Sequence, residues 1–281
     1  MLLTLRQRFI FFICIAIIGF LISGVCGGLI LSKFPDSTAA MRIAAVIQSL
    51  FQLILPAIVT AMIVTRRPAS FLAVDRKINL PIALLALAGL IAATPAMNLI
   101  ISLNQSLSLP ESLSSIENAL RSMEDNAARS ISLLQGDHTV GNLIMNILII
   151  GVLAGFGEEL FFRGTFMRLM TTGRINPHVA IWTVAIVFSA MHLQFFGFVP
   201  RTLLGAYFGY LLYWSRSLWI PIITHAANNI IYVCWQWVYE PSGKDAPIDT
   251  IGPDGNWTAV IISLILTVAI IAVIRNRRVT D

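Results

Sequence analysis

The stretch Gly155-Phe-Gly-Glu-Glu-Leu-Phe-Phe-Arg163 is the most informative part of the sequence, because it places charged side chains inside an apolar run. That run, residues 140–162, has the length of a helix that crosses a lipid bilayer. A carboxylate at membrane depth costs several kcal/mol unless it is paired, protonated or in contact with water, so it indicates a functional site. Glu158 and Glu159 are therefore the first candidate site residues.

The composition of the whole chain also indicates a membrane protein. Of its 281 residues, 57% are hydrophobic and 12% are charged, whereas soluble domains carry about 25% charged residues. The sequence predicts an all-α polytopic membrane protein with about eight transmembrane helices in one bundle and the site in the membrane. It predicts a single membrane domain over residues 1–281, with a motif-bearing core at about 140–239. The predicted spans are residues 9–31, 43–64, 80–101, 140–162, 179–198, 202–214, 218–239 and 257–274.

Charge and cysteine content exclude several other classes. The net charge is +5, but the basic residues cluster at the ends of apolar runs, so no nucleic-acid partner is predicted. Cys14, Cys26 and Cys234 all lie in apolar runs, which predicts neither a disulfide framework nor a cysteine metal cluster.

The distribution of Lys and Arg predicts both termini in the cytoplasm, and the cell (plasma) membrane is the expected location.

The long connection at residues 104–139 is predicted to contain a helix. Apolar side chains recur there at steps of three and four from Leu113 to Leu134, which is the pattern of an amphipathic helix. Such a helix can lie along the membrane surface or cover the outer mouth of the bundle, and the sequence leaves both arrangements open.

The two adjacent glutamates are predicted to have different environments. Glu159 and Arg163 are four residues apart, so they share a helix face at ion-pair distance. Glu158 points about 100° away from Glu159, and Phe162, four residues after it, cannot neutralise it. Glu159 is therefore expected to be held ionised, while Glu158 suits a general base in contact with water. The alternative is that both carboxylates pair with arginines at the cytoplasmic membrane edge.

Further polar residues recur on two later predicted helices. Phe188 and His192 share a face of the fifth helix, and His225 and Asn229 share a face of the seventh. Two donors spaced like the second pair can converge on one anionic oxygen, as in an oxyanion hole. The alternatives are a hydrogen-bonded core histidine for His192 and hydrogen bonds between helices for the second pair.

These three motifs, in this order, carry a family resemblance. Glu158-Glu159-Leu-Phe-Phe-Arg163, Phe188-Ser-Ala-Met-His192 and His225-Ala-Ala-Asn-Asn229 resemble the EExxxR, FxxxH and HxxxN patterns of the CPBP family. That family comprises the CAAX prenyl endopeptidases and the Abi-type, bacteriocin-processing membrane proteins. The resemblance implies an intramembrane glutamic endopeptidase that cleaves a membrane-anchored or lipidated peptide or protein within the lipid bilayer.

The resemblance also implies a role for each matching residue. The general base that activates water would be Glu158, and His192 would help to position that water. The oxyanion would be stabilised by His225 and Asn229. The structural, orienting residues would be Glu159, Arg163 and Phe188.

The sequence favours a site without a cofactor. Zinc is the less favoured alternative, and its ligands would be Glu158, Glu159, His192 and His225. The two histidines come from different predicted helices, however, and there is no H-E-x-x-H pattern. Two other functions remain open, namely a proton-coupled transporter and a non-enzymatic immunity or scaffold protein of the same fold.

Overall fold

The computed structural model of the protein describes residues 3–239, 250–253 and 255–279. Over these ranges the chain is helical and forms no strand, which confirms the predicted all-α polytopic fold. The nine longer helices within them are α1 (Leu5–Lys33), α2 (Thr38–Val64), α3 (Leu80–Gln105), α4 (Ser114–Gln135), α5 (Val140–Thr172), α6 (Pro177–Ala190), α7 (Phe198–Ser215), α8 (Trp219–Tyr239) and α9 (Trp257–Asn276).

Five helical segments in the described ranges are long and apolar enough to cross a membrane. They are α1, α2, α5, α9 and the segment Phe195–Ser215, which contains α7; α3 makes a sixth if its two bent halves form one span. Each of the eight predicted apolar runs contains a helix, but the predicted count of eight spans is not confirmed. Large apolar side chains such as Phe20 and Leu29 are more than half exposed on the outside of the bundle, where they suit contact with lipid. The protein is an integral membrane protein.

The boundary between the fifth and sixth predicted spans was wrong. Helix α6 ends at Ala190, and Leu193 in the following turn has a φ of 55°. The next α-helix begins at Phe198 rather than at residue 202. His192 therefore lies in this turn and not on the helix face predicted for it. Hydropathy could not locate the turn, because most of the residues that form it are themselves apolar.

Helix α3 bends by 49° between its halves Leu80–Ala92 and Thr94–Gln105. Pro95 explains the bend, because a proline inside a helix has no N–H to donate and its ring clashes with the preceding turn. Ser263 of α9 satisfies backbone groups at the bend: its hydroxyl donates to the Ala92 carbonyl (2.6 Å) and accepts from the Ala96 N–H (3.3 Å). A side chain of a neighbouring helix thus supplies hydrogen bonds to backbone groups at the bend, as is expected of a broken helix within a membrane protein.

The amphipathic helix predicted in the long connection is present as α4. At its C-terminal end, Arg42 of α2 donates to the carbonyls of Leu134 (3.1 Å) and Gln135 (3.0 Å). In its middle, Glu124 accepts the backbone N–H of Phe196 at 2.9 Å. Helix α4 therefore packs against the turn between α6 and α7, which favours the alternative in which it covers one end of the bundle over the one in which it lies along the membrane surface.

A close contact between α5 and α8 positions the motif residues. A Cβ atom at Gly155 would lie 3.2 Å from the backbone nitrogen of Ala226 and 3.3 Å from its Cα atom. These distances are shorter than ordinary contacts, so glycine is what allows the two backbones to approach. Because Ala226 follows His225, this contact brings the imidazole next to the glutamates of α5.

Gly155→Val is expected to destabilise the protein by about 1–3 kcal/mol, because the added side chain overpacks a contact formed by backbone. Thermal unfolding in detergent measures the loss. Gly141→Val is the matched control, because it makes the same change on α5 at a position where a Cβ atom meets nothing within 4 Å. Equal stability of the two variants would contradict this account of the contact.

Candidate functional site

A buried ion pair lies at the centre of the site. The carboxylate of Glu159 accepts a hydrogen bond from Arg163 Nη1 at 2.7 Å, and neither side chain is exposed to solvent. The other terminal nitrogen of the guanidinium donates to the Gly205 carbonyl at 2.8 Å. The guanidinium carbon also lies 4.7 Å from the centre of the Phe188 ring. Arg163 therefore joins α5 to α7 while the Glu159 carboxylate balances its charge.

His225 of α8 is anchored to the same carboxylate oxygen. Its Nδ1 atom lies 2.8 Å from Glu159 Oε1, the atom that also accepts from Arg163. The imidazole stacks on the Phe208 ring, with 4.7 Å between ring centres and 22° between ring planes. An ionised carboxylate can only accept hydrogen bonds, so the network assigns a proton to Nδ1. The other ring nitrogen, Nε2, then faces away from Glu159.

Glu158 faces that second nitrogen. Its Oε2 atom lies 3.6 Å from His225 Nε2, which is longer than a hydrogen bond. The Glu158 side chain is 19% exposed, whereas that of Glu159 is fully buried. The two adjacent carboxylates therefore have different environments: one is enclosed by cationic and imidazole donors, and the other is accessible.

His192 lies in the turn after α6, next to the cluster of Glu158, Glu159, Arg163 and His225. Its Nδ1 atom hydrogen-bonds the Phe188 carbonyl at 2.8 Å, and its ring meets the Phe188 ring edge-on at 4.9 Å. The carbonyl can only accept, so Nδ1 carries a proton. Burial lowers the pKa of the His192 imidazole, and the nearby Glu158 carboxylate partly opposes that shift.

Asn229 lies one helical turn beyond His225 on α8. Its Nδ2 atom donates to the Ile150 carbonyl of α5 at 3.1 Å, and its Oδ1 atom accepts from Asn228 at 3.3 Å. These two bonds fix which end of the amide is the donor. One N–H of Asn229 Nδ2 is not required by the bond to Ile150, because a primary amide carries two hydrogens.

The structure therefore joins Glu159, Arg163 and His225 by direct hydrogen bonds, with Glu158 3.6 Å from the imidazole. Phe188 contacts both histidine rings and the guanidinium. His192 and Asn229 flank this group through bonds to backbone carbonyls. The predicted site residues thus come from α5, from the end of α6 and the turn after it, and from α8.

Sequence reasoning missed two residues that hold the site, Gly205 and Phe208 of α7. A Cβ atom at Gly205 would lie 3.2 Å from Arg163 Nη2, so the missing side chain leaves space for the guanidinium. Phe208 supplies the ring on which His225 stacks. Neither residue is unusual within an apolar run, and only their position opposite the motifs identifies them.

No group of three or more His, Cys, Asp or Glu side chains suited to a metal ion occurs in the described parts of the chain. Three of the four residues considered for zinc are engaged by other groups: His192 Nδ1 is bonded to a carbonyl, and Glu159 Oε1 accepts from Arg163 and from His225 Nδ1. Independence of metal stays a prediction.

Comparison with known proteins shows which family the motif-bearing segment resembles. The family model described as "Type II CAAX prenyl endopeptidase Rce1-like" matches residues 140–231, the segment that holds all three motifs. The family resemblance seen in the sequence is confirmed over that segment, which is similar to the type II CAAX prenyl endopeptidases.

One curated relative gives a weaker match. "Uncharacterized protein YpbD" of Bacillus subtilis (strain 168) is 24% identical over 95 residues, which cover 32% of this chain and 46% of that relative. The chain therefore spans less than half the length of the curated relative it matches. No solved structure matches the chain significantly.

Arg163→Met is expected to destabilise the protein by about 3–5 kcal/mol, because it leaves the Glu159 carboxylate buried beside a single donor. Chemical or thermal unfolding in detergent measures this loss. Arg121→Met is the matched control, because Arg121 pairs with Glu117 at the same spacing and the same 2.7 Å distance but is 48% exposed. The control should lose much less stability, since exposed pairs contribute little. Similar losses in both variants would contradict a special role for the buried pair.

Proposed function

We propose that the protein is an intramembrane endopeptidase in which Glu158 activates a water molecule to hydrolyse a peptide bond. The observation that carries this proposal is the difference between two adjacent carboxylates. Glu159 is fully buried and bonded to Arg163 and His225, while Glu158 is accessible and faces His225 Nε2 at 3.6 Å. An accessible carboxylate beside a fixed imidazole is the arrangement that general-base catalysis requires.

In the proposed reaction, Glu158 takes a proton from water as the water oxygen bonds to the substrate's carbonyl carbon. The carbonyl oxygen becomes an oxyanion in a tetrahedral intermediate. When the intermediate collapses, the C–N bond breaks and Glu158 returns its proton to the leaving amine. The free Nε2 of His192 is suited to hold the attacking water, since the Nδ1 proton of this residue is committed to Phe188.

Two groups on α8 are suited to stabilise the oxyanion. Protonated at both nitrogens, His225 would donate through Nε2, and Asn229 would donate through the N–H that the Ile150 carbonyl does not use. Loss of one such donor typically reduces turnover about 10²–10³-fold, and a general base contributes about 10²–10⁴-fold. Enzymes lower their barriers by roughly 8–23 kcal/mol in total, so the fixed geometry of the bundle must supply much of the remainder.

The substrate we propose is a membrane-anchored or lipidated peptide. The matching family model is named for prenyl substrates, and a lipid anchor would bring the bond to a site between apolar helices. We further propose that the protein resides in the cell membrane with both termini in the cytoplasm, on the basis of its Lys and Arg distribution. The family match does not favour the transporter or the non-enzymatic immunity or scaffold protein.

Glu158→Gln is expected to reduce peptide cleavage by at least about 10²-fold, because glutamine cannot accept the proton from water. The measurement uses purified protein in liposomes and a prenylated peptide that carries a fluorophore and a quencher on either side of the bond. The control is Glu111→Gln, which replaces an exposed carboxylate in the short helical turn Glu111–Leu113 just before α4. This variant should retain full turnover. Thermal unfolding verifies that both variants are folded, and unimpaired cleavage by folded Glu158→Gln would reject the assignment.

Removal of metal ions is expected to leave cleavage unchanged, because the proposed chemistry uses only side chains and water. Turnover is measured before and after dialysis against a strong chelator, with a zinc peptidase treated in parallel as the control that loses activity. Elemental analysis of the purified protein completes the test. Stoichiometric zinc whose removal abolishes cleavage would contradict the prediction and favour the ligand set Glu158, Glu159, His192 and His225.

A further inference from the structure

Arg201 is a second arginine close to the site, and its charge is not balanced by an ion pair. It lies in the first turn of α7, inside the membrane-spanning segment Phe195–Ser215. Its Nη2 atom donates to Gln194 Oε1 at 2.7 Å. Its Nη1 atom is buried and has no hydrogen-bond partner among the residues that the structure describes.

Arg201 differs from Arg163, the arginine at the centre of the site, in having no described carboxylate at ion-pair distance. Arg163 has a carboxylate at 2.7 Å, whereas Arg201 forms no ion pair with any described acidic residue. An unpaired cation within a membrane segment is costly, and such residues mark binding sites and pathways. No described carboxylate lies within ion-pair distance of the Arg201 guanidinium.

The position of Arg201 relates it to the site where cleavage is proposed. Gln194, which holds the guanidinium, follows His192 by two residues in the same turn. The Glu124 carboxylate of α4 and, more weakly, the Glu158 carboxylate of the site lie near enough to act on the charge of Arg201. Arg201 in turn acts on His192. The buried Nη1 atom is thus a hydrogen-bond donor on the border of the site.

We propose that Arg201 binds a carboxylate of the substrate next to the bond that is cut, with Gln194 holding the guanidinium in place. This inference rests on the proposed function. A guanidinium presents N–H donors in a planar fork that matches a carboxylate, and such charge-assisted bonds are about twice as strong as neutral ones. The carboxylate can be the C-terminal group of the peptide or the side chain of Asp or Glu, and the experiment distinguishes these sources.

The first test measures binding without catalysis. The Glu158→Gln protein in nanodiscs is titrated with a fluorescent S-farnesyl peptide in three forms: with a free C-terminal carboxylate, with a C-terminal amide, and with a C-terminal amide plus a neighbouring Asp. Adding Arg201→Gln should weaken binding of the carboxylate form about tenfold or more and leave the plain amide unchanged. Weakening of the Asp form alone would support the same site with a side-chain ligand.

The proposal would be overturned if Arg201→Gln changed the affinity of none of the three peptides. It would also be overturned if the substitution weakened the binding of all three peptides equally. Arg129→Gln, which removes an exposed arginine from α4, is the matched control and should change none of the affinities. Arg201→Lys keeps the positive charge but lacks the planar fork of N–H donors of a guanidinium. It should therefore retain only part of the preference for the carboxylate form of the peptide.

The second test measures cleavage by the protein with Glu158 intact. Arg201→Gln should lower kcat/KM for the carboxylate peptide at least about tenfold more than it lowers kcat/KM for the amide peptide. A residue that only tuned Glu158 would change both values together, and that result would overturn the proposal. Failure of the intact protein to cleave any peptide would reject the proposed function, while the binding test would still decide the role of Arg201.

Discussion

The structure depends on a single buried oxygen atom, Glu159 Oε1, that accepts hydrogen bonds from Arg163 and from His225. This atom connects α5 to α8, and the guanidinium extends the connection to α7 through the Gly205 carbonyl. In an interior of low dielectric, neither the carboxylate nor the guanidinium is tolerable alone, because removal of either leaves an uncompensated charge. The relative positions of three helices are therefore constrained by the need to keep this pair together.

The same constraint determines how the neighbouring groups are oriented. Because Nδ1 of His225 is engaged by Glu159, its Nε2 atom is directed towards Glu158, and stacking on Phe208 fixes the ring plane. The helical offset between consecutive residues leaves Glu158 outside the ion pair. The helix widens to a π-helix over Leu160–Met167, directly after the two glutamates, and such segments are frequent at functional sites. A structural ion pair and an accessible carboxylate thus occupy adjacent positions without competing for the same partners.

The turn between α6 and α7 links the site to the connection outside the spans. It carries His192 next to the buried group and Gln194 next to Arg201. Helix α4 packs over the end of this turn through Glu124, which accepts the Phe196 N–H. A carboxylate that bound Arg201 would lie beside this turn, so selection of a substrate and positioning of water would rely on the same short segment.

Much of the fold followed from the sequence, because apolar runs of about 20 residues require a membrane and a membrane requires helices. The amphipathic pattern at residues 113–134 likewise predicted α4, and the four-residue spacing of Glu159 and Arg163 predicted their ion pair. These are local properties, set by the periodicity of one helix and by the cost of a charge in lipid.

Tertiary structure alone decided what lies between helices. Most residues of the turn after Ala190 are apolar, so hydropathy placed His192 on a helix and left Arg201 between two predicted spans. Gly205, Phe208 and Gly155 became meaningful only when packing brought them opposite Arg163, His225 and Ala226. Their roles depend on close contacts between segments distant in the sequence, and the periodicity of a single segment carries no information about such contacts.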